Sequence, residues 1–210
     1  MKNKYFALKL SALMVFIYMV QLIAPEITSL LAFRAAEFPN NFWTMVTSFF
    51  IHSTTDYMHI INNLFFLAIF GTVLEHYMGS KDFLIFFLCA GLFANLSAFY
   101  FYPESLVLGV SGAVSGIIAF LAVLKPNKIG IFWGAPLPMW LVGVMWILTN
   151  FLAMGGDAGV AYEAHLFGLG FGGVIGGFYR KSEGGKDVEE KEEFEISEED
   201  IRRWEEKYMT

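Results

Sequence analysis

The chain is short of charge. Only 16% of its 210 residues are Asp, Glu, Lys or Arg, while 56% are apolar and 23 are Phe. Soluble domains carry roughly 25% charged residues, so an ordinary soluble globule is excluded. What charge exists is unevenly placed: 180–210 holds twelve acidic and seven basic residues, net −5 of the formal −6. The acidity therefore belongs to a tail and says little about a substrate. The single cysteine, Cys89, excludes an internal disulfide; in the middle of an apolar run it reads as a small buried hydrophobe. His-Glu-x-x-His is absent, and no pair of aspartates lies within the apolar runs. The first of those runs is longer than a signal-peptide core and has no convincing cleavage site, so it is read as retained.

Six apolar segments remain, at 6–24, 58–75, 82–102, 106–124, 136–154 and 163–179. Each is close to the ~20 residues needed to cross a hydrocarbon core. The expected fold class is an all-α polytopic membrane protein, a six-transmembrane helical bundle with a membrane-associated first outer loop. Residues 1–180 form the membrane domain and 181–210 an acidic cytoplasmic tail. Within that tail Ser197 can cap a short helix over 198–208, with Ile201, Trp204 and Tyr208 on one stripe. The first loop, 25–57, carries Phe33, Phe38, Phe42, Trp43, Phe49 and Phe50. A fully solvated loop would not be so aromatic, and rings of this kind favour the bilayer interface.

Basic residues set the orientation. With the N-terminus inside, Lys2, Lys4, Lys9, Lys81, Lys125, Lys128, Arg180 and Lys181 are cytoplasmic and Arg34 alone is outside. Both termini are then cytoplasmic, and spans two, four and six all run inward from the outer side. His59 and Asn63 fall in the first turns of span two, Ser111 in the second turn of span four, and His165 in the first turn of span six. At 1.5 Å per residue these groups lie within roughly 10 Å of the outer helix ends. His59 and Asn63, four apart, share one helix face.

Each residue also has a plainer reading. Serine in a membrane helix commonly bonds to a carbonyl one turn back or joins two helices, and Asn63 can do the latter. An intramembrane histidine is a functional candidate by default. His76 is given no role, and Asp56 and Asp157 read as solvated loop residues. The glycines connect the two kinds of reading. Gly112 and Gly116 repeat at four on span four; Gly168, Gly172 and Gly176 do so on span six, beside a second row of Gly173 and Gly177. Small residues at this spacing let helices approach closely. Packing the two stripes together brings Ser111 and His165 within hydrogen-bond reach, a nucleophile and its base inside the membrane.

At these residues the chain resembles the rhomboid family of intramembrane serine proteases. The resemblance rests on Gly109-Val110-Ser111-Gly112, on Ala164-His165 with Gly168 and Gly172 following, and on His59-Ile60-Ile61-Asn62-Asn63. His52, and Gly71 and Glu75 ahead of Gly79, also match. It covers about 40–180, with the motifs in the family's order. There are departures: Trp43-Thr44 stands where tryptophan-arginine is usual, His52 and His59 are seven apart, and Ser115 replaces an aromatic that can lie against the histidine ring. Another group must therefore orient His165.

The resemblance implies an intramembrane serine endopeptidase with a Ser111/His165 dyad. No acidic residue sits in the helices at that depth, so a dyad is expected rather than a triad. His59, Asn63 and the Ser111 N–H are the oxyanion donors, beside Gly109, and the loop 155–163 can act as a lid. The implied partners are the lipid bilayer and transmembrane segments of single-span proteins, cut near their outer ends; nucleic acid is not expected, nor a cofactor or metal. The expected location is the plasma membrane. Two alternatives stand beside this reading: a non-catalytic rhomboid-like protein that binds transmembrane helices, and a zinc-dependent membrane protease using His52, His59 and His165.

Overall fold

The structure is a computed structural model that describes residues 4–154, 159–182, 202–203 and 206–209. Six long helices occur among the described residues: α1 (Phe6–Ile23), α2 (Tyr57–Met78), α3 (Ser80–Asn95), α4 (Ser111–Leu124), α5 (Met139–Ala153) and α6 (Tyr162–Ser182). Three are long and apolar enough to cross a membrane by length and composition: α1, α2, and α3 with its continuation to Phe101. α4 and α5 are apolar but shorter, at 14 and 15 residues. Side chains that point away from the bundle are apolar as well. Phe16, Leu152 and Phe178 are 66%, 80% and 69% exposed. Water does not tolerate that much apolar surface, and a bilayer does.

Local chemistry sets the helix ends. Asp56 is not merely solvated: its carboxylate accepts from the Met58 N–H at 3.0 Å and caps α2. The positive φ of 84° at Gly79 separates α2 from α3. The buried Glu75 carboxylate accepts the N–H groups of Phe6 and Ala7, both at 3.0 Å, and the Ser80 hydroxyl. An anion at the start of α1 satisfies two of its orphan donors and complements its dipole.

α4 is the centre of the bundle, with every residue from Gly112 to Leu121 buried. It starts later than the hydropathy suggested. Residues 106–110 are not helical: Phe33 and Val107 exchange backbone hydrogen bonds at 2.9 and 2.7 Å, and Gly109 turns the chain with φ 103°. Ser111 is therefore the first residue of the helix rather than part of its second turn. The all-α expectation needs a second correction. An antiparallel hairpin, β1 (Ile129–Phe132) and β2 (Ala135–Pro138), precedes α5, which begins at Met139 rather than at 136. Ala135 and Leu137 each precede a proline, which biases their backbone towards the extended conformation of a strand.

In the first loop Phe33 and Phe49 are buried, whereas Phe42 and Trp43 are exposed. Cys89, expected to be buried, is exposed. The lid residues Gly155, Gly156 and Asp157, and most of the 198–208 helix, lie outside the described residues.

Candidate active site

The contact between α4 and α6 has no room for a side chain. A Cβ on Gly168 would stand 2.0 Å from the Gly112 carbonyl oxygen, and one on Gly172 2.0 Å from that of Gly116. On the other flank, a Cβ on Gly112 would meet the Ala94 methyl of α3 at 2.4 Å. Lower down, a Cβ at Gly176 would meet Phe120 at 3.0 Å, while Gly173 and Gly177 face open space. Backbone-to-backbone approach of this kind brings the helix starts together. Ser111 Oγ and His165 Nε2 lie 2.7 Å apart.

The opposite ring nitrogen is engaged too. His165 Nδ1 lies 2.6 Å from Asn150 Oδ1, in the last turn of α5. Asn150 Nδ2 donates to the Trp146 carbonyl at 2.7 Å, and Trp146 Nε1 donates to Ser115 Oγ at 3.0 Å. The Tyr162 ring stands edge-on to His165, with centroids 6.0 Å apart. Sequence reasoning did not find Asn150. Its signal was a lone amide near the outer end of the fifth apolar segment, at the depth already used to select groups on the second, fourth and sixth.

His59 and Asn63 face the same corner. Ser53 N–H donates to His59 Nδ1 at 3.3 Å, so a neutral His59 carries its proton on Nε2. That nitrogen would stand 2.8 Å from a Cβ at Gly109, so only glycine admits the ring, and Asn63 Nδ2 would be 3.7 Å from the same point. Asn63 is buried and donates one amide hydrogen to the His59 carbonyl at 2.8 Å, leaving a second. The first N–H groups of α4, that of Ser111 among them, have no intrahelical partner, and no side chain caps them. Donors from two helices thus surround the space beside Ser111. Asn62, next to Asn63 on α2, lines the same cavity as Asn63, Ser111 and His165.

A frame that the sequence did not reveal holds this corner. Gln21 of α1 pairs with the His52 backbone in both directions, at 3.0 and 3.1 Å, and Tyr18 donates to the Ser53 carbonyl at 3.1 Å. The Gly109 N–H donates to the Ser48 carbonyl at 2.9 Å, and Asn95 donates to Ser48 Oγ at 3.0 Å. His52 is fully buried, with its ring 5.3 Å from that of His59. Burial, and then the neighbouring His59, push its imidazole down to about 3, and the Phe50 backbone opposes them only in part.

Two cavities meet at the Ser111–His165 pair. One of about 670 Å³ runs past Gly91, Tyr102 and Leu106, and Tyr102 donates to the Glu163 carboxylate at its edge. The other, about 630 Å³, lies between α2 and α5 and is lined by Phe66, Trp133, Trp146 and Asn150. Both touch Ser53, His59, Ser111 and His165. A metal reading finds no donor set here. Among the described residues no three His, Cys, Asp or Glu side chains converge, and both nitrogens of His165 face other partners.

A mainly helical bundle with an apolar exterior and a serine–histidine pair in its interior defines the class: a helical membrane protein with a candidate hydrolytic site. Comparison with known proteins places it further. The Rhomboid domain family matches residues 39–182, well over half of the chain, and the protein belongs to the rhomboid family. It is 31% identical to rhomboid-like protease 3 of Toxoplasma gondii over 113 residues, 52% of this chain and 41% of that one. With the rhomboid protease GluP of Bacillus subtilis it shares 26% identity over 184 residues, 83% of this chain and 33% of that one. The chloroplastic rhomboid-like protein 11 of Arabidopsis thaliana is 36% identical over 84 residues, 40% of this chain and 29% of that protein. The matched regions thus span between 29% and 41% of these relatives' own lengths.

Proposed function

We propose that the protein is an intramembrane serine endopeptidase in which Ser111 is the nucleophile and His165 its general base. The 2.7 Å approach of Ser111 Oγ to His165 Nε2, inside a bundle whose exterior is apolar, carries this reading. A serine hydroxyl is a weak nucleophile until a base within about 2.6–3.2 Å takes its proton. Ser111 Oγ attacks the peptide carbonyl while His165 Nε2 accepts the proton. The tetrahedral intermediate collapses as His165 returns that proton to the departing amine, leaving an acyl-enzyme. Water, deprotonated by the same ring, then releases the acid and restores Ser111. The negative charge on the carbonyl oxygen is met by the Ser111 N–H, His59 Nε2–H and the second amide hydrogen of Asn63.

The substrate in this reading is a transmembrane segment of a membrane protein, opened near its outer end. A helix hides its carbonyls in internal hydrogen bonds, so a substrate with helix-weakening residues at that level yields its backbone more easily. The chain then crosses the plasma membrane six times with both termini cytoplasmic. The first loop rests in the outer interface, and 181–210 is a tail separate from the protease domain. The short α4 suits this arrangement, because water must reach its outer end.

The test is cleavage of a single-span reporter by purified protein in liposomes. Ser111→Ala and His165→Ala should abolish cleavage with the fold intact. Fluorophosphonate labelling should vanish with Ser111→Ala, and a zinc chelator should change nothing. Normal cleavage by Ser111→Ala would overturn the reading, and loss on chelation would favour the metal alternative.

A further inference from the structure

We propose that Asn150 is a positioning residue for His165, fixing the tautomer and plane of the imidazole so that the site works as a Ser111–His165–Asn150 relay. The inference rests on the serine-protease reading above. It begins with the direction of one amide. The Trp146 carbonyl can only accept, so the Asn150 nitrogen, 2.7 Å away, must be the group that faces it. The amide oxygen then faces His165 Nδ1 at 2.6 Å. An amide oxygen also only accepts, so Nδ1 is the protonated nitrogen. Nε2 is left with a bare lone pair 2.7 Å from Ser111 Oγ. One carbonyl of α5 thus dictates which nitrogen of His165 can act as base.

The arrangement is built on rigid elements. Trp146 and Asn150 are four apart on α5, Ser111 and Ser115 four apart on α4, so each pair shares a helix face. The lower rung, Trp146 Nε1–H to Ser115 Oγ at 3.0 Å, fixes the height of α5 against α4. The upper rung is Ser111–His165–Asn150. Ser115 leaves room for the indole where an aromatic side chain would compete for the space. The residue that departs from the family pattern is therefore the one that lets α5 deliver an amide to the histidine.

A neutral amide also suits the surroundings. A carboxylate buried beside a neutral ring would lack a compensating charge, and its desolvation would be costly. The groups around His165 are His59 from α2, Ser111 from α4, Asn150 from α5, and Tyr162 and Glu163 from its own helix. Glu163 accepts the Tyr102 hydroxyl, and Asp56 lies at the capped start of α2, lining the second cavity.

The experiment compares full-length wild-type protein with Asn150→Leu, Asn150→Asp and Ser111→Ala in the same liposomes. Cleavage of a single-span reporter is followed against pH, with fluorophosphonate labelling rate and melting temperature on the same preparations. Removing the orienting acceptor can cost a serine protease up to ~10⁴ in turnover when the wrong tautomer results. For a neutral acceptor, Asn150→Leu should lower kcat roughly tenfold to a hundredfold, slow labelling in parallel and leave KM within about twofold. Asn150→Asp keeps an acceptor for Nδ1 but gives up the N–H to the Trp146 carbonyl, so it should recover more of kcat than Asn150→Leu without reaching wild type. Its acidic limb should move to higher pH, because a carboxylate favours the protonated ring and the base must be neutral to act. Full kcat in folded Asn150→Leu overturns the proposal, as does an unmoved limb in Asn150→Asp, which also decides the matter if the leucine variant does not fold. Cleavage by Ser111→Ala would overturn the protease reading and the relay together. A silent Ser111→Ala beside a full-rate Asn150→Leu overturns the relay alone.

Discussion

The α4–α6 face and the α2–α5 face of this bundle are built from opposite materials. Along α4–α6 the contact is backbone on backbone, with Gly168 and Gly172 seated on the carbonyls of Gly112 and Gly116. Between α2 and α5 the space is filled by rings. Trp146 lies 4.8 Å from Phe66 and 6.2 Å from Phe132, edge to face, and the exposed Trp133 sits at the hairpin turn beside a cavity of about 630 Å³. Backbone contacts cannot adjust by changing rotamer, whereas an exposed ring such as Trp133 can swing without moving the helices, even though Trp146 is held by Ser115. For the protease proposed above, alignment of Ser111 with His165 needs the first property, and admission of a substrate segment needs the second.

Breaking the rigid face should produce the largest effect. Gly168→Val or Gly172→Val places carbon where a carbonyl oxygen already lies, so the helices must part. We expect little folded protein, and no cleavage from what folds. Gly173→Ala and Gly177→Ala, on the row that meets nothing, should behave as wild type in melting temperature and rate. Equal damage from both rows would show that glycine content matters and the α4–α6 contact does not.

Next in size is the bend that introduces Ser111. Gly109→Ala forces a side chain into φ 103° and against His59 Nε2 at 2.8 Å. Backbone strain of ~1–3 kcal/mol, added to a displaced donor, should lower turnover tenfold or more. Melting should fall by only a few degrees, because the α4–α6 contact is untouched. A rate loss no larger than the loss of folded protein would remove His59 from the donor set.

The flexible face predicts a smaller and different change. Trp133→Ala removes an exposed ring at the edge of the α2–α5 cavity, so stability should barely move. Fluorophosphonate labelling, which needs only Ser111 and His165, should be unaffected. The KM for a transmembrane reporter should change about threefold, the scale of one modest apolar contact. An altered labelling rate would show that the hairpin supports the dyad rather than the approach to it.

These contrasts also mark how much of the molecule was legible in its sequence. The glycine stripes and the shared helix face of His59 and Asn63 follow from helical periodicity, which acts within one segment. The start of α4 did not follow, because Leu106, Val107 and Leu108 are as apolar as a helix although Val107 pairs with Phe33, far away in the chain. The hairpin escaped for a related reason: Ile129–Phe132 is too short for its period to separate strand from helix. Gln21, Trp146 and Asn150 carry no motif, since each matters through a partner on another helix. Local pattern is written in the sequence, and the choice of neighbour is decided by packing.

The smallest expected effect concerns His52, which belongs to neither face and lies beneath His59. Burial holds its imidazole at about 3, against 6.5 for a free ring. Between those values the unfolded chain binds a proton that the folded protein does not. Its contribution to stability is therefore complete above pH 6.5 and declines as pH falls towards 3. His52→Gln removes that titration, so the drop in melting temperature from about pH 7 to about pH 4 should be a few degrees shallower than in wild type. Turnover near neutral pH should change less than with Gly168→Val or Gly109→Ala, because the Gln21 pair holds the backbone at residue 52 and not the ring. Parallel melting curves would mean that the ring is solvated in the working protein. A large loss of turnover at unchanged melting temperature would place His52 among the residues that align His59, and the line between stability and alignment would have to be drawn one residue deeper.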